Sequence, residues 1–221
     1  MDTKYPTLAF EQLLWDAGYT LITGIDEAGR GAWAGPVCAA AVILPPDPTL
    51  VRRLDKVRDS KLMTPMARET WAPRIRQAAL AWGVGFASPQ EIDSLGILPS
   101  TKLAALRALA SLCSASNSSA PSIPSSCSPD YLLTDYLLFP SLDLPQTALV
   151  KGDQLALSVA CASVLAKTAR DALMREQDAS YPGYGFARHK GYGTRLHQQA
   201  IHDLGLCEIH RKSFSILPSG S

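Results

Sequence analysis

Between residues 19 and 44 the apolar positions alternate or run on in strand fashion, with no helical spacing. Tyr19-Thr-Leu-Ile-Thr-Gly-Ile-Asp26 is β-branched and reads as a half-buried strand. Gly35-Pro-Val-Cys-Ala-Ala-Ala-Val-Ile-Leu44, closed by Pro45-Pro46, reads as a second. The link from Ala28 to Gly35 is glycine-rich and short enough for a hairpin. Ala81 to Ala87 predicts a third strand, while Tyr131 to Asp135 and Thr147 to Lys151 are short apolar runs that suit buried strands four and five.

Elsewhere the pattern turns helical. Thr64 to Leu80 predicts a helix that Pro73 should kink or restart, because proline removes a backbone donor and its ring clashes with the preceding turn. Leu103, Leu106, Leu109 and Leu112, within Pro99 to Cys113, fall at helical spacing and predict one face packed on the sheet. Leu155 to Gln177, rich in Ala and Leu and free of Gly and Pro, predicts a long helix, and Thr194 to Leu204 a shorter one ended by Gly205. Ser111 to Pro129 is dominated by Ser, Pro and Ala, too little apolar surface to order an element, and is expected to be a mobile surface loop inserted before the fourth strand. The chain contains no internal repeat.

Composition narrows the class. At 221 residues, 47% hydrophobic and 19% charged, the chain suits one large single-core domain, or one core with an appended helical piece. A net charge of +1 gives no global reason to bind nucleic acid, so such a partner must be met by local basic clusters. Cys38, Cys113, Cys127, Cys161 and Cys207 are odd in number, scattered and never spaced as CxxC, which argues for reduced thiols and against a disulfide framework or zinc site. Met1 to Gly24 lacks a basic stretch followed by an apolar run, and no 18-residue apolar segment occurs, so a cytoplasmic protein without a membrane partner is expected.

Four carboxylates stand at strand ends or beside glycine: Asp26, Glu27, Asp135 and Asp153. Strand neighbours point to opposite faces, so Asp26 and Glu27 can share a site only if the strand bends or ends at Glu27. Hard oxygen ligands without Cys or His partners favour Mg²⁺ or Mn²⁺, and two such ions about 3.5–4 Å apart are the usual device for in-line phosphodiester cleavage. An acid beside glycine is also a common turn former or cap. Gly29-Arg30-Gly31 could cradle a phosphate or press its backbone on a sugar, and bases follow the acids: Arg30, Lys61, Lys151 and the run Arg188-His189-Lys190. The alternation fits a nuclease groove and a solvated surface equally. Tyr192, between two glycines, could stack on a sugar or base and reach a 2′-OH, or be structural.

In chain order these stretches resemble type 2 ribonuclease H, the bacterial ribonuclease HII family, from about Leu21 to Phe214. The opening motif is matched by Gly24-Ile-Asp-Glu-Ala-Gly-Arg-Gly31, the Asp-Ser-Lys motif by residues 59–61 and the Lys-Gly-Asp motif by residues 151–153. Ala162-Ser163 through Ala166-Lys167 to Arg170-Asp171, and Tyr184 through Thr194, follow the family's later motifs. Two departures stand out: Tyr136 follows Asp135 where the family usually has Gly, and the Ser-rich segment lengthens the approach to that strand.

The resemblance implies a ribonuclease H-like α/β fold, a five-stranded mixed sheet flanked by helices, with residues 1–178 as catalytic domain and 179–221 as a C-terminal helical extension completing the substrate groove. It implies a metal-dependent endonuclease that hydrolyses the RNA strand of RNA/DNA hybrids. It would also cut on the 5′ side of ribonucleotides embedded in DNA, leaving 3′-hydroxyl and 5′-phosphate ends. The implied metal-binding and catalytic acids are Asp26, Glu27, Asp135 and Asp153, with two Mg²⁺ or Mn²⁺ ions during catalysis. The implied substrate contacts are Gly29, Arg30, Gly31, Lys61, Lys151, Ser163, Lys167 and Tyr192. A monomer is expected, and residues 211–221 show no evident sliding-clamp peptide. The alternative is a non-catalytic hybrid-binding module of the same fold.

Overall fold

A computed structural model describes residues 5–112 and 128–216. Five strands, β1 (Ile22–Ala28), β2 (Val37–Ile43), β3 (Ala81–Ala87), β4 (Tyr131–Asp135) and β5 (Gln146–Leu149), form one sheet in the order β3-β2-β1-β4-β5. The first three pair antiparallel; β1–β4 and β4–β5 pair parallel. The helices are α1 (Ala9–Asp16), α2 (Leu50–Arg53), α3 (Pro65–Ala78), α4 (Pro89–Leu95), α5 (Ile97–Leu112), α6 (Gly152–Leu155), α7 (Leu157–Ser180), α8 (Phe186–His189) and α9 (Arg195–Leu204). The mixed sheet, its flanking helices and the C-terminal helices are as expected.

Every residue of β2 is buried because both faces of the sheet are covered. Cys38, Ala40 and Val42 join the cluster that contains Ala160, Val164 and Leu165 of α7; Val37, Ala39, Ala41 and Ile43 join Ala104, Ala105 and Ala108 of α5. The C-terminal segment has a smaller cluster in which Tyr184, Phe186 and Ala200 meet Ala34 and Met174 of the main body.

Several boundaries differ from the expectations, each for a local reason. β1 starts at Ile22 because Thr20 and Leu21 donate their N–H groups to the Asp130 carboxylate, and it continues through Glu27 to Ala28. The expected last strand ends at Leu149, since Lys151 takes a left-handed conformation (φ 59°) ahead of α6. The long helix is interrupted at Ala156, which is extended. There Thr7 inserts from the N-terminal side, donating to Leu155 O and accepting from Leu157 N. Glu11 then accepts from Ser158 N and Oγ at the head of α7. At its far end α7 continues to Ser180, and α3 passes through Pro73 unbroken. The short helices α1 and α4 were not expected; α4 opens on a capping box in which Ser88 and Glu91 satisfy each other's backbone N–H. Ser111 and Leu112 belong to α5, while residues 113–127 of the expected loop lie outside the described residues. Among the described residues no helix is long and apolar enough to cross a membrane.

Candidate active site

Because β1 and β4 run parallel, their C-terminal ends reach the same edge of the sheet, and the Ile25–Thr134 pairing brings Asp26 beside Asp135. Asp135 Oδ1 accepts the N–H of Gly152, the first residue of α6, whose second residue is Asp153. Asp26 and Asp153 are only 4% and 3% exposed.

β1 runs one residue past Glu27 to Ala28, and Asp26 and Glu27 both feel the charge of Asp135. Burial pushes Asp26 well above the usual carboxylate range, Glu27 and Asp135 push it further, and hydrogen bonds from Ser163 and Glu27 N oppose them. Burial likewise raises Glu27 against the opposing charge of Arg30, whose Nη1 lies 3.2 Å from Glu27 Oε1. Asp153 is pushed up to about 7 by burial, then by Asp59 and Asp135. Lys61 sits within this acidic field: burial works against its charge, but Asp59, Asp26, Asp153 and Asp135 together hold it above the usual lysine range.

Glu27, Gly29, Arg30, Gly31, Lys61, Lys167 and Tyr192 line, with Ala28 and Ser60, one cavity of about 300 Å³. Ser163 stands behind it, joining Ser60 (Oγ–Oγ 2.9 Å) and bonding Asp26. The ring of Tyr192 lies 5.3 Å from both Lys167 Nζ and the Arg170 guanidinium. Lys151 is brought elsewhere, exposed on the turn between β5 and α6 and not among the residues that line the cavity. Of the basic run 188–190, His189 is buried and Arg188 is exposed. Tyr136 has φ 65°, which explains why glycine suits that position.

Sequence reasoning missed three participants. Asp59 is buried, accepts from Gln154 Nε2 and Lys61 N, and acts directly on Asp153; the only trace was its place in the Asp-Ser-Lys motif. Arg170 and Arg211 are fully buried, and their guanidiniums bond only backbone carbonyls.

The acids suit hard divalent cations. Glu27 Oε2 is buried without a hydrogen-bond partner among the described residues, and the neighbouring carboxylates raise one another, a strain that a bound cation relieves. Among the described residues no three of these groups are gathered closely enough to hold an ion unmoved. This agrees with their present ties to Gly152 N, Arg30 and Glu27 N.

Residues 23–217 match the family model described as Ribonuclease HII. A curated Ribonuclease HII of Dehalococcoides mccartyi is 46% identical over 219 residues, covering 97% of this chain and 95% of the relative. One from Thermus thermophilus is 47% identical over 205 residues, covering 93% and 91%. A ribonuclease HII solved in complex with PCNA from Archaeoglobus fulgidus shares the fold (TM-score 0.68, 23% identity, 87% of this chain and 92% of that one).

Proposed function

The chain belongs to the ribonuclease HII family, endonucleases of RNA/DNA hybrids, and on that premise we propose that it also cuts duplex DNA on the 5′ side of an embedded ribonucleotide, leaving 3′-hydroxyl and 5′-phosphate ends. The observation that supports this most is that Glu27 belongs both to the acid cluster and to the cavity lined by Gly29–Gly31 and Tyr192. A hydrolytic edge and a sugar-sized pocket are therefore continuous.

In this reading Asp26, Glu27, Asp135 and Asp153 are the catalytic acids and hold Mg²⁺ or Mn²⁺, two ions during catalysis. When bound, such ions supply a nucleophilic water at neutral pH and charge stabilisation at the scissile phosphate. Ser163 orients Asp26, and Lys61 offsets the negative charge that the acids and the incoming phosphate bring together. Arg30 and Lys167 meet phosphates at the cavity mouth, and Lys151 meets them further out on the groove. The backbone of Gly29–Gly31 reads the ribose 2′-OH while Tyr192 stacks on its sugar. Residues 179–216 complete the groove. The protein acts as a cytoplasmic monomer.

The test is a gel assay on duplexes carrying ribose, 2′-deoxyribose or 2′-O-methyl ribose at one position, with Mg²⁺, Mn²⁺ or EDTA. Only the ribose duplex should be cut, and only with an ion. Asp26→Asn should lower the rate by about 10²-fold or more, the usual cost of removing one key transition-state interaction. Its circular dichroism should match wild type. Equal cutting of the deoxy duplex, or a folded Asn variant above about a tenth of wild-type rate, would refute the reading; tight binding without cleavage would leave a hybrid-binding module.

A further inference from the structure

The two buried arginines stand beneath the cavity. Arg211, from the segment after α9, donates Nε to Gly35 O (2.9 Å), Nη1 to Arg30 O (2.8 Å) and Nη2 to Gly29 O (2.7 Å). Arg170, on α7, donates Nε to Pro36 O, Nη2 to Ala34 O and Nη1 to Lys190 O. Burying two guanidiniums side by side with no carboxylate on either costs free energy, and each is offset by three carbonyl acceptors. The same segment is tied along its length. Arg211 N donates to Trp33 O, Gly35 N to Ile209 O, and Asp93 accepts from Lys212 N and Ser213 N just beyond.

Peptide geometry turns this clamp into a reader. In a trans peptide the C=O and N–H of one unit point in opposite directions, and no cis bond occurs among the described residues. The Gly29 carbonyl shares its plane with the Arg30 N–H, and the Arg30 carbonyl shares its plane with the Gly31 N–H. With both carbonyls drawn inward onto Arg211, both N–H groups face outward, and neither donates to another described residue. Arg30 and Gly31 are exposed where they line the cavity. A positive charge behind the carbonyls also polarises these peptides and strengthens their N–H groups as donors.

We infer that Arg211 is the positioning residue for sugar recognition: it fixes the Gly29–Arg30 and Arg30–Gly31 peptides so that their N–H groups meet an electron-rich sugar oxygen, the 2′-hydroxyl of a ribonucleotide. Arg170 holds the other side of the same frame. Gly29 packs directly on it, with a Cβ there falling 1.9 Å from Arg170 Nε, and its guanidinium faces the ring of Tyr192. The two arginines thereby hold the loop and the tyrosine in one register. The inference rests on the 2′-hydroxyl reading proposed above.

The experiment compares Arg211→Lys and Arg211→Met with wild type, each also in an Asp26→Asn background so that binding is measured without cleavage. Readouts are the ratio of Kd for deoxy against ribose duplex, the rate on the ribose duplex, affinity for all-DNA duplex, and melting temperature. Lys carries one ammonium and cannot reproduce the planar fork. The ribose preference and rate should fall about tenfold with Lys and about 10²-fold with Met, a loss of roughly 1.4 and 2.8 kcal/mol. All-DNA affinity should stay within about twofold, since phosphate contacts dominate it. A folded variant that keeps the wild-type preference overturns the clamp, as does proportional loss of all-DNA binding. Failure of both variants to fold also overturns it, leaving Arg211 a folding element alone. If wild type itself shows no ribose preference, the underlying 2′-hydroxyl reading fails instead, so the two failures are distinguishable.

Discussion

Gly29 and Gly31 occupy equivalent places in the sequence motif and opposite places in the physics. Gly29 is buried at φ +94°, with Arg170 where a side chain would go; Gly31 is exposed, with no atom within 4 Å of the place a methyl would take and no unusual φ. Gly29→Ala should therefore cost on the order of 1–3 kcal/mol of stability through backbone strain and displacement of Arg170. Gly31→Ala should leave stability within about 0.5 kcal/mol. It should nevertheless slow cleavage of a ribose duplex by about tenfold or more, because the methyl stands where the sugar approaches. Urea denaturation and single-turnover rates on both variants decide the matter. A Gly31→Ala protein as fast as wild type would mean that the sugar does not approach this backbone. The acids and the glycine loop were legible because short motifs name them. The roles of Arg170, which stood inside a motif, and of Arg211, which stood outside them all, were not, because a guanidinium that pairs with carbonyls has no complementary side chain to mark its task in the sequence.

Among the elements, strand and helix cores were legible from periodicity, and their ends were decided by tertiary partners. The interruption at Ala156 requires Thr7, nearly 150 residues away, and no window around residue 156 can show it. Helix α3 is the clearest override of a local rule. Pro73 costs an interior helix about 3 kcal/mol, yet anchors on both sides hold the helix together. Trp71, Ala72 and Ile75 are buried, and Arg68 donates to Ser60 O, Met63 O and Asp171. Pro73 itself is exposed, so its replacement loses no packing. Pro73→Ala should restore a donor to the Glu69 carbonyl and stabilise the protein by about 1–3 kcal/mol. Thermal melts should rise by about 2–4 °C for each kcal/mol gained. An unchanged or lower melting temperature would show that the surrounding packing depends on the proline.

At the scale of the molecule, three histidines join the C-terminal segment to the cavity. Cys207 N–H donates to His210 Nδ1, so the His210 proton lies on Nε2, facing His197 Nε2 at 3.0 Å; His197 Nδ1–H then donates to Tyr192 O. Gly191 N–H on His189 Nδ1 leaves its Nε2–H for Tyr184 O. Each ring must be neutral to serve. Burial lowers all three, bringing His197 to about 4. The unfolded chain takes up protons from about pH 6.5 downward. The unfolded state thus binds more protons between about 6.5 and 4, and the contribution is full above that window and lost as pH falls through it. The raised acids Asp26 and Asp153 work in the opposite sense, so the test is a comparison in which they cancel. Between pH 7.5 and 5, wild type should lose about 1–2 kcal/mol more stability than His197→Gln. Equal losses in urea titrations would show that the ring accepts a proton in place.

Gly29 and Arg211 lie 182 positions apart, and the bond between them has a meaning in time as well as in space. Synthesis at about 5–20 residues per second separates the two by on the order of 10–40 s. The whole sheet, with Asp26, Glu27, Asp135 and Asp153, has been made well before Arg211 exists. A growing chain on the ribosome thus holds the four acids before the Gly29–Gly31 loop gains its Arg211 frame. On the proposed reading, a chain cut ahead of residue 211 keeps the four acids and loses the clamp on the Gly29 and Arg30 carbonyls.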